Sequence, residues 1–253
     1  MGNSRLKNSA LNFASGFLGR VLTIFLNFIV RTIFIHCLNE AYLSVNGLYS
    51  NILTVLSLAE LGFGSAMVYR MYAPVAVKDY QKTAALLHFY KKIYAVIGAV
   101  IFGLGLCVIP FMDYIIKDKP DVSGLTLYYI LFLINTTISY WFASYKSSVL
   151  YADQKEYIKT NVQNAMSILQ SALQIVLLLI FRKYLPYLLV QLGCNIILNL
   201  YVAHLVDKRY PQIREHRNAR LTSEERGQIK KDAEALVLSR FGHVVLNGTD
   251  NII

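Results

Sequence analysis

The feature that most constrains this chain is one long apolar run, Ala10 to Cys37, with two arginines inside it, Arg20 and Arg31. A bilayer crossing needs about 20 apolar residues, and this run is long enough. An arginine deep in hydrocarbon costs about 3 kcal/mol or more unless it faces a wet or paired interior. Arg20 and Arg31 are 11 residues apart, which places them on one helix face and about 16 Å apart along the axis. Gly16, Thr23 and Asn27 fall on the same stripe, while Val21, Ile24, Phe25, Phe28 and Ile29 fill the rest of the cylinder. One side of the helix suits lipid or protein, and the other is cationic and polar. The rest of the chain must supply a hydrophilic interior for that stripe.

The remaining sequence repeats the theme. Of 253 residues, 55% are hydrophobic and 16% charged, well below the ~25% charged usual in a soluble domain. The mean hydropathy is +0.43. The class is therefore all-α, a polytopic membrane helical bundle. Further spans are expected at about Ala41–Met71, Leu86–Ile109, Leu125–Tyr145, Ile158–Phe181 and Tyr187–Val206. A charged segment, Asp207 to Asp232, follows, in which Thr222 and Glu225 fit a capping box and predict a helix from near Ser223. Ala235-Leu236-Val237-Leu238 then opens a seventh apolar run, and Asn251-Ile252-Ile253 stop within an unfinished pattern. The expected organisation is a six-span membrane lobe over residues 1–207, a basic cytoplasmic or interfacial linker over 208–234, and the start of a second, truncated lobe over 235–253.

The placement of Lys and Arg sets an expected orientation. With the N-terminus inside, 19 of the 25 basic residues fall on the cytoplasmic side, and only Lys117, Lys119, Arg182 and Lys183 fall outside; Lys and Arg collect on cytoplasmic loops. This accounts for the net charge of +10 without nucleic acid. The three cysteines, Cys37, Cys107 and Cys194, are far apart, show no metal spacing and read as small buried hydrophobes. No cofactor is implied.

Polar stripes recur on the other spans: Asn46, Ser50, Ser57, Glu60 and Gly64 on the second; Tyr128, Asn135 and Ser139 on the fourth; Gln163, Ser167, Gln170 and Gln174 on the fifth, with Asn164 and Ser171 beside them; Gln191, Asn195 and Asn199 on the sixth. Any one amide can glue two helices together at about 0.6 kcal/mol per contact. Four such stripes plus two arginines exceed what packing needs, so the set is read as a wet cavity with Arg20, Arg31, Asn27, Glu60, Asn135, Gln163, Gln170, Gln174 and Asn195 on its wall. A guanidinium fork suits phosphate oxygens, and amides and hydroxyls suit sugar hydroxyls. In the third span Ala95, Ala99 and Gly103 form a small-residue face expected to pack. A structural alternative pairs Arg20 or Arg31 with carbonyls or with Glu60. Nucleotide and metalloprotease motifs are absent from the sequence, the five histidines are scattered, and no catalytic constellation emerges.

At the second span the residues Gly47-Leu48-Tyr49-Ser50-Asn51-Ile52-Leu53, then Leu58-Ala59-Glu60-Leu61-Gly62-Phe63-Gly64, then Tyr69, Tyr72, Pro74 and Asp79 resemble bacterial polysaccharide flippases. These belong to the multidrug/oligosaccharidyl-lipid/polysaccharide exporter superfamily. Residues 242–253 look like the start of that family's second lobe. The resemblance implies a MATE-like fold of two inverted-V lobes in the bacterial cytoplasmic membrane, with a cationic lumen suited to Arg20 and Arg31. It further implies alternating-access transport of an undecaprenyl-diphosphate-linked oligosaccharide, with membrane lipids and the missing C-terminal lobe as partners and no enzymatic step. A full member is nearly twice as long. Rival expectations are a multidrug or lipid II exporter of the same fold, which for a cation-coupled drug exporter would favour acidic groups, and a membrane glycan polymerase or transferase, which would need large outer loops.

Overall fold

The computed structural model describes residues 2–57, 63–112, 124–142, 144–216, 218–232 and 234–235. The described residues contain helices and turns and no strand. The first helix, α1, spans Gly2–Leu38, starting before the apolar run and continuing through it. It ends at Asn39, whose φ of +83° reverses the chain. The Asn39 side-chain oxygen accepts the Ala41 N–H at 3.0 Å, the local bond that lets asparagine occupy the left-handed region.

Two helices are described over the expected second span. Helix α2 covers Glu40–Ser57 and α3 covers Phe63–Ala76; Glu60 lies outside the described residues. Helix α4 runs Tyr80–Val108, its N-terminus capped by Asp79, which accepts the Lys82 N–H at 2.8 Å. Helix α5, Leu125–Trp141, stops short of the expected Tyr145, and a separate short helix, α6, follows at Ser147–Ala152. Helices α7 (Glu156–Phe181) and α8 (Tyr184–Arg209) are joined by a two-residue turn through Arg182, at φ +48°. A short α9 covers Pro211–Glu215. The last described helix, α10, covers residues 223–232, starting where the capping box places it. Thr222 N–H donates to Glu225 Oε2 at 3.0 Å, and Glu225 N–H to Thr222 Oγ1 at 3.2 Å. The expected seventh run and second lobe lie outside the described residues.

Four described helices, within α1, α4, α7 and α8, are long and apolar enough to cross a membrane, and the bent pair α5–α6 makes a fifth if counted as one span. In α7 only 11% of the most apolar 18-residue stretch is buried. Phe13, Phe17, Phe25 and Phe28 of α1 are all more than half exposed. Such surface is compatible with a membrane-embedded chain and not with water on all sides.

Helix α1 packs chiefly along α7, α7 along α8, α8 along α5, and α5 along α4. The core has two parts, one toward each end of the bundle. At one end Met67, Met71, Leu86, Leu150 and Val206 gather with Leu221 and Ile229 of the 218–232 segment. At the other Phe34, Tyr49, Tyr129, Leu133, Leu178 and Tyr184 interlock, with ring pairs such as Tyr128–Tyr184 at 4.8 Å and Tyr49–Tyr129 at 5.4 Å. The packing face of α4 differs from the expected one. Ala95, Ala99 and Gly103 are exposed, and a Cβ on Gly103 would meet no neighbouring element within 4 Å. Gly98 and Gly105 are the glycines in contact: a Cβ on Gly105 would come within 2.3 Å of Leu133 Cδ1. A turn-and-turn-again spacing identifies a small-residue face but not the side on which the neighbour lies.

Candidate functional site

A polar cavity of about 390 Å³ opens beside the aromatic end of the bundle, within the size range of small-ligand pockets. Four helices contribute to it. From α1 come Thr23, Asn27 and Arg31; from α2, Asn46; from α7, Ser167, Gln170, Ser171 and Gln174; from α8, Tyr187 and Gln191. Val30, Phe34 and Leu43 supply its apolar part. The helical periodicity of α1 sets Thr23, Asn27 and Arg31 at four-residue steps on one stripe, and the α7 residues follow the same rule on theirs.

Three of the polar groups are tied down, among them Ser167, whose hydroxyl donates to the Gln163 carbonyl of its own helix at 2.9 Å. Gln174, 3% exposed, donates its amide to the Tyr187 carbonyl at 3.3 Å, which fixes α7 against α8. Thr23 Oγ donates to the Gly19 carbonyl at 2.8 Å, within its own helix. By contrast, the side chains of Arg31, Asn27, Asn46, Gln170 and Gln191 have no hydrogen-bond or ion-pair partner among the described residues. Arginine carries five donors and each amide two donors and an acceptor. They converge on one cavity with that capacity unspent, and no carboxylate appears on its described wall. The site's net charge is therefore positive, and its chemistry is donor-rich.

Of the residues expected to share one cavity, Asn27, Arg31, Gln170 and Gln174 meet there. The others do not. Asn195 donates to the Asn135 carbonyl at 2.9 Å and to its side-chain oxygen at 3.1 Å, and Asn199 in turn donates to Asn195 Oδ1 at 2.9 Å. This ladder joins α5 to α8, the adhesive use of amides. Gln163 is exposed and two turns from Gln170. Arg20 is exposed on the α1 stripe, outside the cavity and with no partner among the described residues. An Arg20–Glu60 pair falls outside what is described. Tyr187 is the wall residue that the stripe pattern passes over; its signal was the aromatic spacing of Tyr184 and Tyr187.

Charge is segregated along the bundle. Arg70 pairs with Asp232, Lys82 with Glu225, Lys146 with Asp207 and Lys155 with Asp153, all at the end away from the cavity. Tyr210 donates to Asp153 at 2.5 Å there; burial, and then the bond to Asp153, push its hydroxyl pKa up. Arg182 and Lys183 stand at the cavity end. Comparison with protein-family models, with curated proteins and with solved structures finds no match to this chain.

Proposed function

We propose that the chain is a non-enzymatic membrane transport lobe that handles an anionic lipid-linked oligosaccharide, of the undecaprenyl-diphosphate type, at the cytoplasmic membrane. The observation that carries this reading is the convergence of Arg31 with the unpartnered amides of Asn27, Asn46, Gln170 and Gln191 on one cavity. A guanidinium binds phosphate oxygens in a planar fork, and amides serve sugar hydroxyls. The exposed apolar faces of α1 and α7 keep the lipid tail in hydrocarbon beside the site. Alternating access in such proteins comes from rocking one repeat against another around a site near the bilayer midplane; the partner lobe is then the second half implied by the resemblance at residues 47–79. The basic end of the bundle is cytoplasmic by the positive-inside tendency. A cation-coupled drug exporter finds less support, because the described cavity wall carries no carboxylate.

The test is binding of undecaprenyl diphosphate, with undecaprenol as the uncharged control, to the purified chain in lipid nanodiscs. Preference for the diphosphate by about tenfold or more, a free-energy gap of about 1.4 kcal/mol, is expected for the wild type, and its loss in Arg31→Gln. Equal binding of the two lipids by the wild type overturns the reading.

A further inference from the structure

A second cavity, of about 380 Å³, lies at the opposite, basic end between α4, α8 and α9. Its inner wall is apolar, made by Ala84, Leu87 and Val206; its rim carries His88 and Lys91 from α4 and Arg214 from α9. Lys146 and Asp207 also line it, but they bind each other at 2.5 Å and largely cancel. Lys91 and Arg214 are exposed and have no partner among the described residues. His88 is held in place, its Nδ1 lying 3.2 Å from the Ala219 carbonyl. The net result is a pocket with two free cations on one side and hydrocarbon on the other.

Its level along the bundle identifies the ligand class. Lys91 and Lys92 are the last charges of α4 before residues 93–108, which contain none. The first part of α4, with Thr83, Ala84, Ala85 and Leu86 buried, is covered in part by Leu221 and Ile229 of the linker. On α8 the charges Asp207, Lys208 and Arg209 likewise begin where the apolar helix ends. The pocket thus sits where the hydrocarbon slab meets water. Toward the middle of the bundle apolar side chains stay exposed on both helices: Ala95 and Ala99 on α4, and on α8 Leu200, 48% exposed and two turns from Asp207, with His204 between them. A free phosphate ester uses the cations alone; an amphiphile uses the cations and these exposed apolar side chains together.

We propose that this pocket binds the phosphate of an anionic phospholipid headgroup, with Lys91 and Arg214 as its ligands and the acyl chains lying along α4 and α8. Basic pockets between helices at the interface recognise lipid headgroups in this way. The site is separate from the Arg31 cavity and does not rest on the transport reading.

The experiment uses the full chain purified in detergent, with native mass spectrometry and thermal melting as readouts. Three probes are compared: phosphatidylglycerol, phosphatidylcholine and inorganic phosphate. Phosphatidylglycerol should remain bound and raise the melting temperature, phosphatidylcholine should do neither, and Lys91→Gln/Arg214→Gln should lose phosphatidylglycerol occupancy about tenfold. Lys92→Gln, outside the pocket, should behave as wild type. Each single variant of Lys91 and Arg214 removes one exposed, unpartnered charge, so the singles carry the same test if the double variant folds poorly. Equal retention of the two lipids, or undiminished phosphatidylglycerol binding by the variants, overturns the site. Stabilisation by inorganic phosphate alone, lost in the variants, supports the phosphate site and overturns the lipid as its source.

Discussion

The amide of Asn164 on α7 sits in the notch left by Gly19 on α1 and donates to the Ser15 carbonyl at 3.2 Å. A Cβ on Gly19 would come within 2.3 Å of Asn164 Oδ1 and 2.8 Å of its Cγ. The helix pair with the most extensive contact among the described residues is therefore keyed by a missing side chain on one helix and a polar one on the other. Two turns toward the basic end, Asn12 repeats the link, donating to the Gln154 carbonyl at 3.1 Å and accepting the Tyr157 N–H at 2.7 Å. Close approach at glycine, with amides bonding across, is how helices associate where lipid supplies no hydrophobic drive.

The first prediction follows from that key. Gly19→Leu should overpack the notch at a cost of about 1–3 kcal/mol and lower the yield of folded protein several-fold. Gly19→Ala should do less, and less still in an Asn164→Ala background, where the methyl meets empty space. A positive coupling of about 0.5 kcal/mol or more in thermal melts of the four-variant cycle checks the contact; strict additivity refutes it.

The amide ladder and the cavity make a second, contrasting prediction. Asn195→Leu breaks its bonds to Asn135 and should destabilise by about 0.6–1.7 kcal/mol without changing the diphosphate preference. Gln170→Leu, which has no described partner to lose, should keep stability and weaken ligand binding. Melting temperature and lipid affinity, measured on both, separate adhesive from ligand-facing amides. A stability loss in Gln170→Leu equal to that of Asn195→Leu would remove the distinction.

Arg31 supplies a third. Arg31→Lys retains charge but not the planar fork, so it should recover only part of the diphosphate preference lost in Arg31→Gln. Both variants should insert and melt as wild type, since the Arg31 side chain makes no described contact of charge or hydrogen bond. Full recovery by lysine would show that a point charge suffices.

The linker helix offers a fourth. Glu225 both closes the capping box through Oε2 and pairs with Lys82 through Oε1. Its side chain is 35% exposed, so the ion pair contributes at most about 1 kcal/mol, and a cap contributes about 1 kcal/mol. Glu225→Gln keeps the oxygen that accepts the Thr222 N–H and loses the charge; Glu225→Ala loses both. Hydrogen exchange over residues 218–232 should rise modestly in the first and clearly more in the second.

Much of this was legible in the residues. The apolar runs place both ends of α7 and α8 within three residues and the end of α4 within one, while α4 starts six residues before the expected Leu86; Thr222-x-x-Glu225 places α10 because a cap is a local bond between near neighbours. Stripes on α1 and α7 were legible because helical period is a property of one segment. Which stripes face each other is not. Asn135, Asn195 and Gln163 have the same composition and spacing as Asn27, Gln170 and Gln174, yet Asn135 and Asn195 satisfy each other and Gln163 lies outside the cavity. Only the packing order, α1 on α7 on α8 on α5, decides between them. The halt of α5 at Trp141 was likewise hidden, since the hydrophobic pattern runs on across it.

The final prediction concerns the two ends of the bundle. Helix α7 has 26 residues, about 39 Å of rise, enough to cross a hydrocarbon core of about 30 Å. Its first residue lies beside Gln154 and Asn12 at the basic end, and its last, Phe181, is followed by Arg182 at the aromatic end. Arg182 and Lys231 are both exposed, so each reports the compartment at its own end without steric shielding. With cytoplasmic loops enriched in Lys and Arg, the end bearing Lys82, Lys146 and residues 208–232 should face the cytoplasm. In a variant with Cys37, Cys107 and Cys194 replaced by alanine, Arg182→Cys should react with a membrane-impermeant maleimide in intact cells. Lys231→Cys should react only after the cells are permeabilised. The reverse pattern would invert the bundle, and labelling of both in intact cells would show that α7 does not separate two compartments at all.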